Sequence, residues 1–399
     1  MTEWKEYKLG EFIKVKHGFA FKGDYIVSDE TDKILVTPGN FHIGGGFKSD
    51  KFKYYNSEEF PQDYILKDGD IVVTMTDLSK DSDTLGYSAI IPFSKNKKYL
   101  HNQRIGLVQF ISDELCHNFV YWLLRTKEYQ SYIVGSASGT SIMHTSPSRI
   151  ENYSCLFPPL DEQRRIASIL SSLDDKIDHL HRDNATLEQM AETLFRQWFV
   201  VEAKEEWEEG TVAAFAQQCK EPINPQKHPN SIFLHYSIPA FDGGKNPTVE
   251  TGENIQSNKY LVPSNCILFS KLNPHKDKRV WLMLNDVPDN AICSTEFQIV
   301  KPIKPEYLYF LYGWLMNKEN YDEIASGVGG TSGSHQRIDP KSIFSFTCPN
   351  VDFETIRNYN NKVEPLFYKI INNQKQIQTL IQTRDGLLPK LMSGEVKVK

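Results

Sequence analysis

The 399-residue chain has no apolar run approaching the length that crosses a bilayer, and it opens Met1-Thr2-Glu3-Trp4-Lys5 without the basic-then-apolar pattern of a secretory leader. A cytoplasmic protein without a membrane partner is the expectation. The six cysteines, Cys116, Cys155, Cys219, Cys266, Cys293 and Cys348, are scattered. No Cys-x-x-Cys pair and no histidine at metal-ligand spacing accompanies them, so reduced thiols are expected and a metal site is not. Net positive charge is also lacking: 45 Lys and Arg against 51 Asp and Glu leave −6, whereas nucleic-acid binders are usually basic. That sign decides little, because phosphate contacts need positive charge on one face only. Nucleotide and catalytic fingerprints are missing as well. Gly44-Gly45-Gly46 lacks dinucleotide spacing, and Gly243-Gly244-Lys245 is followed by Asn246 with no upstream glycine at P-loop spacing. No Asn-Pro-Pro-Tyr-like run of an amino-methyltransferase is present, and Asp68 and Asp70 read as a turn entering a strand. These absences argue against a methyltransferase or nuclease in its own right, and no cofactor is expected in the chain.

What is present is core-forming material, 40% apolar and 12% aromatic, which excludes wholesale disorder, and a length that suggests two or three domains. The chain also repeats itself. Trp4 precedes Tyr7-Lys8-Leu9-Gly10-Glu11-Phe12, and Trp207 precedes the looser Thr211-Val212-Ala213-Ala214-Phe215. Gly69-Asp70-Ile71-Val72-Val73 has a counterpart in Asn265-Cys266-Ile267-Leu268-Phe269. Phe119-Val120-Tyr121-Trp122-Leu123-Leu124 matches Tyr307-Leu308-Tyr309-Phe310-Leu311-Tyr312. Small-residue loops follow, Ser138-Gly139-Thr140-Ser141 and Gly329-Gly330-Thr331-Ser332, and a long helical pattern closes each copy. Within a copy, short β-branched and aromatic runs broken by Gly, Pro, Asn and Asp predict strands and turns, while 115–132 and 305–325 predict helices. The fold class expected is α+β, with two similar mixed α/β heads related by an internal pseudo-two-fold repeat.

The long helical patterns carry the strongest periodicity. Ile166, Leu173, Leu180, Leu187 and Leu194 recur every seventh residue, with Leu170, Ile177, Asn184, Ala191 and Trp198 between them. That is a coiled-coil seam. Pro158-Pro159 bar backward extension, and Asp161-Glu162 suit a helix N-terminus. The second copy offers Val363, Leu366, Ile370, Asn373, Ile377, Leu380, Arg384, Leu387 and Leu391, with Gly386 and Pro389 predicting that it frays or ends early. If the helices pack antiparallel with Asn184 facing Asn373, then Leu187 faces Ile370, Ala191 faces Leu366, Leu194 faces Val363 and Leu170 faces Leu387. Only Leu173 against Arg384 breaks the apolar pattern. A facing asparagine pair fixes register, since any slip buries an amide without a partner. Two solvent-exposed polar breaks are the alternative. A helix over 166–198 measures roughly 50 Å at 1.5 Å per residue, enough to separate two heads by the about 34–36 Å of one duplex turn.

Leu156-Phe157-Pro158-Pro159-Leu160-Asp161-Glu162-Gln163, Ile166, and a helix ending Leu194-Phe195-Arg196-Gln197-Trp198-Phe199 resemble the central conserved region of type I restriction–modification specificity subunits. The tail Leu387-Leu388-Pro389-Lys390-Leu391-Met392-Ser393-Gly394-Glu395 resembles their C-terminal conserved region. Pro349-Asn350-Val351-Asp352-Phe353-Glu354 departs from the fuller Pro-Pro-Leu-Asp-Glu-Gln pattern of the first copy, which leaves the start of the second helix open. The resemblance implies a target recognition domain over 1–157, a central spacer helix over 158–203, a second recognition domain over 204–350 and a C-terminal spacer helix over 351–399. It implies a non-catalytic chain whose heads each read half of a split, asymmetric target in double-stranded DNA. It further implies two modification subunits carrying S-adenosylmethionine, and restriction subunits that need ATP and Mg.

Candidate DNA contacts are the polar and basic clusters at loop positions. In the first head these are Lys97, Lys98, His101, Asn102, Gln103 and Arg104, then Ser138, Thr140, Ser141, His144 and Arg149. In the second they are Lys271, His275, Lys276, Lys278 and Arg279, then Thr331, Ser332, Ser334, His335, Gln336 and Arg337. Arg and Lys suit guanine or phosphate, Asn and Gln suit adenine, and Ser and Thr suit phosphate. Solvated surface, or a structural turn in the case of the Gly-Thr-Ser loops, is the plainer reading of each cluster. A non-catalytic coiled-coil scaffold with two protein-binding heads is the rival for the whole chain.

Overall fold

Two buried strands, Ile71–Thr74 and Cys266–Ser270, form the centres of two sheets built to one plan. Every residue in both is buried, so side chains on each face meet protein and the runs read as continuously apolar rather than alternating. Each strand is entered by a residue in the left-handed region, Gly69 at φ 81° and Asn265 at φ 53°. Asparagine is among the few non-glycine residues that tolerate this conformation, which explains how Asn replaces Gly at the same turn. The computed structural model describes residues 4–49, 51–77, 79, 83–139, 142–326 and 337–398. They fall into two units, Met1–His179 with Gln376–Lys399, and Leu180–Lys375.

In the first unit a four-stranded antiparallel sheet runs in the order Ile13–His17, Ile105–Phe110, Ile71–Thr74, Ser88–Ile90. A second sheet of five short strands contains the parallel pair Lys33–Val36 and Lys98–His101. The second unit repeats both. Its four-stranded sheet has the order Ala216–Cys219, Phe297–Pro302, Cys266–Ser270, Val280–Met283, and its five-stranded sheet contains the parallel pair Ile232–Tyr236 and Ala291–Ser294. A two-stranded ribbon closes each unit, Lys5–Lys8 with Ser154–Phe157 and Glu209–Thr211 with Thr347–Pro349. The duplication holds throughout the four-stranded sheets and for four strands of the second sheet, whose fifth strand lies on opposite edges, Ile26–Val27 beside Lys53–Tyr55 in one unit and Pro222–Ile223 beside Lys259–Leu261 in the other.

Helices follow in both copies, His117–Leu123 and Lys127–Gly135 in one, Tyr307–Met316 and Lys318–Ser326 in the other. Thr126 Oγ1 accepts from Tyr129 N at 3.3 Å, and Asn317 Oδ1 accepts from Asn320 N at 3.2 Å, so the same N-cap position is used twice. That shared cap sets Phe119 against Phe310, three residues on from the match of 119–124 with 307–312 suggested by composition. The whole run Leu308 to Leu315 is buried, so its apolar pattern alone did not fix the register.

Two long helices, Leu160–Arg196 and Phe353–Met392, each contribute one half to each unit. In the first unit Ile166 and Leu170 share a core with Leu388, Leu391, Phe119 and Trp122. Gln163, only 2% exposed, donates to Pro158 O and accepts from Cys116 N, both at 2.9 Å, which ties the helix start to the head. Arg384, the polar break opposite Leu173, is answered by Asp174: the carboxylate accepts from Arg384 Nη1 at 2.5 Å and from Arg125 Nη1 at 2.7 Å. Arg125 also donates to Gly44 O at 2.9 Å. The helix does not end at Gly386 or Pro389 but continues to Met392, because burial of Leu388 and Leu391 outweighs the local preference to stop. Gly394, at φ 73°, follows its end.

In the second unit Ala191, Phe195 and Phe199 pack with Ile356, Tyr359, Val363, Phe367 and Ile370 in one core. Phe199 lies 4.9 Å from Tyr359 ring to ring, while Asn373 Nδ2 donates to Asn184 Oδ1 at 2.8 Å, so the two helix halves run antiparallel. Asn373 is 1% exposed. Asp352 caps the second helix, accepting from Thr355 N at 2.8 Å, and also binds Lys204 at 2.9 Å and Trp207 Nε1 at 3.1 Å. That cap marks the helix start where the sequence departs from the first copy.

Candidate nucleic-acid interface

In the first unit one residue joins two of the sequence clusters. Met75, just past the central strand, donates through its N–H to Arg104 O at 2.9 Å and accepts at its carbonyl from Thr145 N at 3.0 Å. The turn carrying Gln103 and Arg104 and the segment carrying His144 are thereby held side by side. The turn is tightly built. Asn102 Oδ1 accepts from Arg104 N at 3.0 Å, Gln103 N donates to Phe19 O at 2.9 Å, and a Cβ on Gly18 would lie 1.9 Å from Asn102 O. Only glycine permits that approach.

The structure sorts the candidates by where their side chains point. Gln103 and Arg104 are exposed. His101 is fully buried, and its Nε2 donates to Ile105 O at 2.8 Å. Burial pushes its pKa down to about 4, so the ring is neutral at pH 7. Asn102, at 8% exposure, turns its side chain back into the loop. His101 and Asn102 thus shape the turn and present almost no surface to a duplex. Lys97 and Lys98 lie at the opposite end of the strand from this turn; Lys97 Nζ pairs with Glu30 at 2.6 Å, and Lys98 is exposed. Thr76–Asp77 pairs with Met143–His144, the exposed His144 ring lies 3.1 Å from Thr76 Oγ1, and Arg149 Nη1 donates to His144 O at 3.2 Å and to Ser138 Oγ at 3.5 Å. Ser138, His144 and Arg149 therefore form one group beside Arg104. Asp77, 2% exposed, accepts from Ser79 N and from the amide and hydroxyl of Thr84. Burial raises its pKa, but these hydrogen bonds together outweigh it and hold the carboxyl below its usual range. Thr140 and Ser141 lie outside the described residues.

The second unit repeats the junction with different side chains. Lys271 N donates to Glu296 O at 2.9 Å, and Lys271 O accepts from Ile338 N at 3.2 Å. Lys271 thus takes the place of Met75, Glu296 that of Arg104, and Arg337 that of His144. The Leu272 bridge to Arg337 matches the pairing of Thr76 with His144. Arg337 holds Glu296 in a two-pronged pair, Nε to Oε2 at 3.0 Å and Nη2 to Oε1 at 2.7 Å. Lys271 Nζ turns inward to Thr295 O at 2.6 Å, and Lys278 Nζ donates to Met316 O; burial pulls both pKa values down. Arg279, 7% exposed, is bound by Asp242 at 2.7 and 2.8 Å and by Asp277 at 2.7 Å. Its charge is answered within the fold. His275 and Lys276 are exposed. Thr331, Ser332, Ser334, His335 and Gln336 lie outside the described residues.

Glu296 was absent from the sequence candidates, since a search for cations and amides passes over a carboxylate. The signal available was the repeat itself: Thr295-Glu296-Phe297 stands in the register of Gln103-Arg104-Ile105. Among the described residues no group of three or more His, Cys, Asp or Glu is arranged to hold a metal ion, and no helix is long and apolar enough to cross a membrane.

Comparison with known proteins gives one consistent picture. Residues 1–189 match the family described as type I restriction modification DNA specificity domain. The type I restriction enzyme MjaIX specificity subunit of Methanocaldococcus jannaschii is 26% identical over 327 residues, 72% of this chain and 71% of that protein. The HindI specificity subunit of Haemophilus influenzae is 29% identical over 218 residues, 50% of this chain but only 41% of that protein. The crystal structure of the type I restriction–modification S subunit from M. genitalium shares the fold at TM-score 0.58, with 18% identity, over 98% of this chain and 96% of that one.

Proposed function

We propose, on the premise that this chain belongs to the specificity subunits of type I restriction–modification systems, that its two heads each read one half of a split, asymmetric target in double-stranded DNA. The chain recognises DNA sequence and is not itself an enzyme. The observation that carries the two-part reading is the repeated junction. The same backbone links in both units place a turn beside an exposed strand end, at the exposed Arg104 with His144 and at the half-buried Glu296 with Arg337. Side chains anchored by backbone hydrogen bonds on a rigid sheet suit base readout, which needs fixed donors and acceptors. In the first head Gln103, Arg104, Ser138, His144 and Arg149 meet the duplex, joined by Thr140 and Ser141, which lie between Ser138 and His144 in the sequence. In the second, Arg337 does so, with Thr331, Ser332, Ser334, His335 and Gln336 immediately before it. Lys98, His275 and Lys276 serve phosphates rather than bases.

The long helices set the number of unread base pairs between half-sites, with Asn184 and Asn373 fixing their register. They also dock two modification subunits, which supply S-adenosylmethionine. Restriction subunits using ATP and Mg join that assembly in the cytoplasm. Sequencing the methylome of a host carrying this chain with its modification partner tests the reading. A split methylated motif with two unlike halves is expected. A contiguous motif, or no new motif beside normal complex formation, would refute it and favour a protein-binding scaffold.

A further inference from the structure

The two heads hold opposite charges at one equivalent position, Arg104 in the first and Glu296 in the second, each tied by its carbonyl to the residue after the central strand. We infer that Glu296 and Arg337 act as a single reading unit for one C·G base pair in the second half-site, whereas Arg104 alone reads a guanine in the first. This rests on the reading of the heads as DNA-recognition modules.

The chemistry follows from counting donors and acceptors. A carboxylate only accepts, and the major groove offers amino donors on cytosine N4 and adenine N6. Adenine places its N7 acceptor beside that donor, which a carboxylate opposes, so cytosine is the better match. The guanine paired to that cytosine offers O6 and N7, both acceptors, to a neighbouring guanidinium. The pair with Glu296 uses Nε–H and one N–H of Nη2 of Arg337, which leaves three N–H donors outside the fork. The carboxylate likewise has lone pairs beyond the two engaged. Glu296 and Arg337 together therefore match the donor–acceptor order along the edge of a C·G pair. The guanidinium also neutralises the carboxylate against the phosphate field, which otherwise opposes an acid at a DNA surface. The side chains are 27% and 54% exposed, so the pair is anchored yet reachable.

Selection from a randomised duplex library tests this, using the full chain bound to its modification subunits. Glu296→Gln keeps the size of the side chain but adds a donor, and an amide pairs best with adenine N6 and N7. The expected result is that one position of the second half-site changes from cytosine to adenine, or loses its preference, while the first half-site stays the same. Arg337→Lys keeps the charge but not the fork. It is expected to weaken binding about ten- to a hundred-fold on the cognate duplex and to relax that same position. An unaltered second half-site in both variants would overturn the inference, with the split wild-type motif still supporting the recognition reading. Loss of both half-sites together would also overturn it, because the role would then be structural. A wild-type complex with no sequence preference would remove the underlying reading instead.

Discussion

Protonation of His101 is expected to destabilise the first unit well above the pH at which carboxylates titrate. The ring is buried beside the turn that carries Gln103 and Arg104, its Nε2 donates to Ile105 O at 2.8 Å, and its buried Nδ1 has no partner among the described residues. Burial lowers its pKa from 6.5 to about 4, a backbone hydrogen bond partly opposing this. Across that window the unfolded chain binds the proton and the folded one does not, so stability rises with pH. The contribution is complete above pH 6.5 and is lost as pH falls through about 4. At 1.36 kcal/mol per pH unit of separation the full loss is about 3 kcal/mol, with about 2 kcal/mol of it gone by pH 5. Urea unfolding of wild type and His101→Gln at pH 7, 6 and 5 measures it, since glutamine keeps a donor for Ile105 O without titrating. Burial also lowers the pKa of His235, but that residue is present in both proteins and cancels in the difference. Wild type is expected to lose about 2 kcal/mol more than the variant between pH 7 and pH 5. Parallel slopes would refute the assignment of a neutral, buried imidazole under the turn.

Asp174→Ala is expected to cost about 3–5 kcal/mol, because it leaves Arg125 and Arg384 as two largely buried guanidinium groups without their shared carboxylate; equilibrium denaturation measures this, and a cost below about 1 kcal/mol would mean that solvent already screens the cluster. Asn373→Leu alone strands Asn184 Oδ1 and should cost about 1–3 kcal/mol, whereas Asn184→Leu with Asn373→Leu should recover most of that loss. A double variant as unstable as the single one would show that the two amides are not coupled.

The parts of the fold that were legible in the sequence are those fixed by local periodicity. Heptads running from Ile166 and Val363 located both long helices, and the recurrence of Gly69-Asp70 as Asn265-Cys266 located both central strands at the correct register. Local rules failed where distant packing decides. Gly386 and Pro389 argue for a helix end, yet Leu388 and Leu391 insert into the core of the first unit and carry the helix past both. Orientation of loop residues failed for a related reason. His101 ends a strand in which Tyr99, Leu100 and His101 are all buried, so the alternation that would separate inward from outward positions is absent. Arg279 is closed off by Asp242, a partner 37 residues away that no spacing rule connects to it.

The internal duplication explains why the candidate sites are less legible in the sequence than the scaffold. Both heads retain the same backbone links around Met75 and Lys271, because those links hold the sheet edge together. The side chains on that edge are free to differ: Arg104 holds the position that Glu296 holds in the other copy, and His144 that of Arg337. A repeat tolerates such exchanges because neither side chain contributes to the sheet's hydrogen-bond ladder. Comparing the copies therefore identifies scaffold by agreement and candidate specificity by disagreement. The same comparison bears on the charge of −6. Lys97, Lys271, Lys278 and Arg279 all bond within the fold. With those cations engaged, one of the two equivalent edges carries an acid held by an arginine. If these edges read DNA as proposed, discrimination between the half-sites comes from the order of donors and acceptors at each edge, and the total charge of the chain has little bearing on it.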